Sequence, residues 1–202
     1  MRISKAWIVA TKDMRVFLRK KYALNSLIIF PLVIGIGLPL VLHFAGAKQG
    51  GLPGATLLTL MNAFSFFFVI GASSLPTVLA SYSLVGEKVE KSLEPLLAGP
   101  ITDRELLLGK SIAAFIPSVG AIYISSIVFM VLSDLMTRNT LGYLYFPNWT
   151  IGLILLVVVP LSAILSIEWS VIVSSRASDP RAAQMQVLLL HFLWPPFMLQ
   201  AK

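Results

Sequence analysis

Apolar residues in this chain fall in blocks of about 20 that are nearly free of charge, separated by short polar stretches. The blocks run from about Leu24 to Phe44, Ala55 to Tyr82, Ser111 to Leu132 and Ile151 to Val173, and a fifth starts near Met185. At about 1.5 Å of rise per residue, 20 helical residues cross a hydrocarbon core of about 30 Å. The blocks lack the period-2 alternation of outer-membrane barrel strands. Helices are then the remaining way to satisfy backbone polar groups in lipid. The predicted fold is all-α: a polytopic transmembrane bundle over 24–202, with spans at about 24–44, 55–82, 111–132, 151–173 and 185–200. The last apolar run, about 15 residues, is short for a crossing of about 20.

Ahead of the first block the pattern changes to helical amphipathicity. Ile3, Trp7, Ala10, Met14 and Phe17 share one side, and Lys5, Lys12, Arg15 and Arg19 fall on the other. Residues 1–23 therefore read as an elbow helix lying on the inner leaflet, its cations toward anionic headgroups. That use of the cations disfavours nucleic acid as a partner.

Charge sets the orientation. Of 16 Lys and Arg, thirteen lie before the first block and in the 83–110 and 174–185 loops, and two lie in the alternate loops. The excess places the N-terminus and the 83–110 and 174–185 loops in the cytoplasm, and the expected location is the plasma membrane, crossed several times. Composition agrees: 57% of residues are hydrophobic and 12% charged, with mean hydropathy +0.86, which excludes an ordinary soluble domain. No cysteine is present, so disulfides and cysteine zinc sites are excluded, and no metal site is expected. Ala45-Gly46-Ala47 imitates a signal-peptide cleavage site, but the preceding leader and apolar run are too long for one.

The 83–110 loop carries the densest pattern. Glu87, Glu90 and Glu94 are spaced i, i+3, i+7, which puts three carboxylates on one helical face. Pro95 disfavours helix at Glu94, and Gly99-Pro100 makes a turn. Thr102-Asp103-Arg104-Glu105 is a capping-box sequence that starts a second helix, able to run through Gly109-Lys110 into the third block.

From Gly86 to Lys110 the segment GEKVEKSLEPLLAGPITDRELLLGK resembles the cytoplasmic loop of type-2 ABC transporter permeases, nearest the branch that includes sodium-efflux and multidrug-type subunits. The carrying features are Lys91-Ser92-Leu93-Glu94, paired Leu96-Leu97, Pro100, Glu105-Leu106 and Gly109-Lys110. Ser174-Ser175-Arg176 and Asp179 to Gln184 resemble that family's second cytoplasmic loop. The resemblance implies a permease subunit of an ATP-driven exporter, with no enzymatic activity of its own. In that family the first loop forms a coupling helix in a groove of a separate ATPase subunit. Glu87, Glu90 and Glu94 would face basic residues there, and Leu93, Leu96 and Leu97 would supply apolar contact. The partners implied are that ATPase, a second permease copy or paralogue, and the bilayer. No cofactor is expected on this chain, since ATP would be hydrolysed by the partner. Family members usually have six spans, so the resemblance also implies a missing C-terminal part, or a second polypeptide that completes the fold.

Other chemistry is thinner. Gly109-Lys110-Ser111 imitates the end of a phosphate-binding loop, but Arg104 stands where that motif needs glycine. Glu168 is the acidic residue well inside a block, and Ser162, Ser166, Ser170 and Ser174 recur every fourth residue on the same span, about 180° away. Glu168, Ser162, Ser166 and Ser170 form a candidate intramembrane polar site; the plainer reading is close helix packing through small residues. Proline occurs in every block (Pro31, Pro39, Pro76, Pro117, Pro160, Pro195, Pro196), which predicts kinks. Asn148-Trp149-Thr150 matches a glycosylation sequon, taken as chance. Two rivals are a non-transporting scaffold or truncated permease, and an intramembrane serine protease using Ser73 and His191.

Overall fold

The computed structural model describes residues 3–48, 53–89, 102–176 and 185. The described residues contain helices and no strand. Helix α1 (Ile3–Arg19) precedes α2 (Lys21–Leu32), a π-helical stretch (Val33–Gly37) and α3 (Leu38–Lys48). Next come α4 (Gly54–Ser65), α5 (Phe67–Val89) and α6 (Asp103–Leu141). A turn of helix, α7 (Trp149–Leu153), leads through a second π-helical stretch (Ile154–Val158) into α8 (Val159–Arg176).

Four helical runs are long and apolar enough to cross a membrane: Lys21–Phe44, Gly54–Ser83, Asp103–Leu141 and Trp149–Ser174. These are spans 1 to 4. The expected fifth span lies outside the described residues, Met185 excepted. Within each span's most apolar window, 22% to 33% of residues are buried in protein. Ile28, Ile29, Leu32, Ile124, Ile127, Leu156 and Leu165 are among the large apolar side chains left exposed, as a bilayer-facing surface requires.

The 39 residues of α6 extend about 58 Å, roughly twice the hydrocarbon thickness, so helix projects beyond the membrane at one or both ends. The expected capping box is present: the Glu105 amide donates to Thr102 Oγ1 (3.4 Å) and the Thr102 amide to Glu105 Oε2 (3.3 Å). At the other end Gly142 adopts φ +77°, the left-handed cap that glycine takes without strain. The short helix expected to carry Glu87, Glu90 and Glu94 is, as far as it is described, the continuation of α5 to Val89.

The prolines act through their i−4 carbonyls, which lose a backbone donor and meet the pyrrolidine ring. Both π-helical stretches sit just before a proline, Pro39 and Pro160, where an inserted residue relieves the clash. Hydroxyls from neighbouring spans reach carbonyls in these regions. Ser125 Oγ donates to Pro31 O (2.6 Å), Tyr123 Oη to Leu155 O (3.0 Å), and Ser166 Oγ to Ala72 O (3.5 Å), the carbonyl Pro76 leaves without its amide.

Two apolar clusters hold the bundle. One gathers Met61, Phe68, Ile122, Phe129 and Phe146, with Phe129 edge-on to Phe68 at 5.4 Å and tilted against Phe146 at 5.5 Å. The other gathers Ala10 and Phe17 of α1 with Ala23, Leu79, Ala80, Ala113, Ala114 and Ile167. The second cluster divides the apolar side of the leader. Ala6, Val9, Ala10, Asp13 and Phe17 are buried, while Trp7, Ile8 and Leu18 are exposed. The expected apolar side is therefore split: Ala10 and Phe17 meet protein and Trp7 does not. The small residues Ala6 and Ala10 let α1 approach α6 closely, which a lone amphipathic helix has no reason to do.

The segment between the 142 cap and α7 is tied to the bundle by polar side chains. Buried Asp134 accepts from the amides of Tyr145 (3.1 Å) and Phe146 (3.2 Å). Asn148 caps α7 by accepting from the Ile151 amide at 2.9 Å, and its Nδ2 donates to Asn62 Oδ1 at 3.1 Å. Asn62 Nδ2 in turn donates to Tyr145 Oη at 2.6 Å. The Asn148 sequon is thus built into a helix cap.

Candidate functional site: the junction where the 83–110 segment leaves and re-enters the bundle

Glu87 lies on the last described turn of α5. Glu90, Leu93, Glu94, Leu96, Leu97 and Pro100 lie outside the described residues. The chain around them is fixed at both ends: Ser83 on α5 precedes this segment, and Glu105, Gly109 and Lys110 on α6 follow it.

Lys110 is 2% exposed, which a lysine tolerates only with compensation. Its Nζ donates to Asp13 Oδ2 of α1 (3.2 Å), to Ser83 Oγ (2.9 Å) and to the Ser83 carbonyl (3.3 Å). Ser83 Oγ donates to the same Asp13 oxygen at 2.7 Å. One carboxylate, one ammonium and one hydroxyl thus join three helices, with both charged side chains at most 6% exposed. The geometry depends on Gly109. A Cβ there would lie 2.7 Å from Ala6 O and 2.7 Å from Val9 Cβ, so only glycine lets α1 lie against α6 at this height. Gly109 sets the approach and Lys110 uses it. This also disposes of the phosphate-loop imitation, since Gly109-Lys110-Ser111 is continuous helix packed on α1.

Glu105 is buried (4% exposed) and serves the α6 cap. Asp13 and Ser83 were not among the residues singled out from the sequence. Asp13 looks like a breach in a basic leader, and Ser83 is an ordinary serine; the one available signal is an acidic residue on the apolar side of an amphipathic helix.

The candidate intramembrane set divides. Ser170 shares a hydrogen bond with Ser81 (Oγ to Oγ, 2.8 Å) and donates to Thr77 O at 3.3 Å. Ser166 donates to Ala163 O at 2.9 Å and reaches Ala72 O. Ser166, Ser170 and Ser174 are buried and Ser162 is half-buried. These hydroxyls line the seam between spans 2 and 4. Glu168 is exposed and belongs elsewhere, to a cavity of about 180 Å³ between α6 and α8 lined by Ser111, Ile112, Phe115, Ile164 and Ile167. Ser73, the nucleophile of the protease reading, is buried and donates to Val69 O (2.9 Å) and Ile70 O (3.3 Å) within its own helix; His191 lies outside the described residues. Among the described residues no group of three His, Cys, Asp or Glu could hold a metal.

Residues 7–201 match the family model described as ABC-2 family transporter protein. No curated protein matches the chain significantly. With nearly the whole length matched and four helices able to cross a bilayer, the chain belongs to the ABC-2 family and is a membrane-embedded permease component of an ABC transporter.

Proposed function

We propose that this permease works in the plasma membrane as half of an ATP-driven exporter. Its N-terminus and the 83–110 segment face the cytoplasm, and a separate ATPase subunit grips that segment. A second permease copy or paralogue completes the path, and this chain binds no cofactor and hydrolyses nothing. The observation that carries the reading is the Lys110–Asp13–Ser83 junction. It holds both ends of the acidic segment on one body with α1, so a displacement of the segment is passed to spans 2 and 3 rather than lost in slack. Glu87, Glu90 and Glu94 offer the ATPase three carboxylates, and the lysine and arginine distribution supports the same side.

The test is co-purification with an ATPase subunit encoded beside this chain. The triple reversal E87K/E90K/E94K is expected to cut its retention at least ~tenfold, because attraction becomes like-charge repulsion. Equal retention would overturn the coupling role. So would labelling of a single cysteine at Lys88 from the outside of intact cells, a direct experiment because the chain has no cysteine of its own.

A further inference from the structure

Glu168 is the group that neither the junction nor the helix seam uses. It sits on α8 two turns before Arg176, the last described residue of that helix, and its carboxylate is exposed beside a groove whose other described linings are Ser111, Ile112, Phe115, Ile164 and Ile167. A carboxylate on a membrane span is costly to hold against lipid and is retained where something compensates it. No described residue supplies that compensation through an ion pair or hydrogen bond. Lys110, one residue before Ser111, is committed to Asp13 and Ser83.

We propose that this groove binds a small amphipathic ammonium ion, with its positive charge against Glu168 and its apolar body against Ile112, Phe115, Ile164 and Ile167. Three observations fit that chemistry together. Among the described lining residues the one ionisable group is anionic. The walls are aliphatic and aromatic, and the Phe115 ring can add attraction for a cation. The volume, about 180 Å³, exceeds the roughly 150 Å³ of an apolar cavity that takes up benzene. A metal ion would find a single carboxylate among apolar side chains, and an anion would be repelled. The inference goes beyond the coupling role and needs no ATPase, so it stands or falls separately.

The experiment is equilibrium binding of radiolabelled benzyltrimethylammonium to the full chain in phosphatidylcholine nanodiscs, with empty nanodiscs as background. Its neutral isostere, neopentylbenzene, serves as competitor. The wild-type chain is expected to bind the cation saturably, and E168Q to bind it at least ~tenfold more weakly, as loss of one partly screened charge contact predicts. Neopentylbenzene should compete with similar strength in both proteins. F115A should weaken both ligands several-fold, and the melting temperature of E168Q should match the wild type because the side chain is exposed. Non-saturable uptake, equal cation affinity in E168Q, or displacement by phosphatidylethanolamine at membrane concentrations would overturn the assignment. Spontaneous dimer cross-linking of Glu168→Cys would also overturn it, since a second copy would then cover the groove.

Discussion

Lys110 Nζ lies 3.2 Å from Asp13 Oδ2, a carboxylate 97 residues earlier, and neither side chain is more than 6% exposed. Ser83 completes the arrangement by donating to the carboxylate and accepting from the ammonium. Two buried charges that satisfy one another in this way are costly to separate and need not be stabilising as a pair. Their value here is positional: the first helix cannot shift along α6 without exposing a charge to apolar surroundings.

Removing one partner should therefore be worse than removing both. K110A and D13A each leave an orphaned buried charge and are expected to cost about 3–5 kcal/mol, while the double apolar variant D13L/K110M should cost less than either. Thermal unfolding of the detergent-solubilised chain, followed by size-exclusion fluorescence, orders the three. A double variant less stable than both singles contradicts the account.

Gly109 should tolerate nothing larger. G109V places methyl groups where Ala6 O and Val9 already stand, and overpacking of this kind typically costs about 1–3 kcal/mol. The local signature is separation of α1 from α6. In the wild-type background, cysteines placed at Ala6 and Leu106 should cross-link more efficiently than in the G109V background; equal yields would show that α1 does not move.

The seam between spans 2 and 4 should respond to size more than to polarity. S170A removes one hydroxyl pair and is expected to cost about 1 kcal/mol. S170L must instead push Ser81 and Thr77 away and should cost about 1–3 kcal/mol. Unfolding midpoints of the two variants distinguish packing from a polar conduit, for which S170A would be the more damaging to function.

Asn148 should not carry a glycan. Its Nδ2 donates to Asn62 and its Oδ1 caps α7, so the amide is engaged on both sides. Expression in a glycosylating membrane system should give no Asn148-dependent mass shift, and N148A should lower stability by about 1 kcal/mol through loss of the cap. A shift abolished by N148Q refutes the reading.

Much of this protein was legible in the order of its residues. Uncharged runs of about 20 residues force helices across a bilayer because backbone groups have no other partner there, so spans 1 to 4 follow from local composition. The start of α6 was equally local, since Thr102 and Glu105 satisfy each other's amides within one turn. The angular separation of Glu168 from Ser166 and Ser170 follows from 3.6 residues per turn. What each face meets does not follow. The leader shows an apolar side, yet its division between α6 and the outside depends on the shape of a helix a hundred residues away. Asp13 reads as a stray charge until Gly109 brings its backbone against Val9 and Lys110 arrives beside it. Local periodicity fixes which residues share a side; only the packed bundle decides which distant charge answers which, because burial and pairing are properties of two surfaces at once.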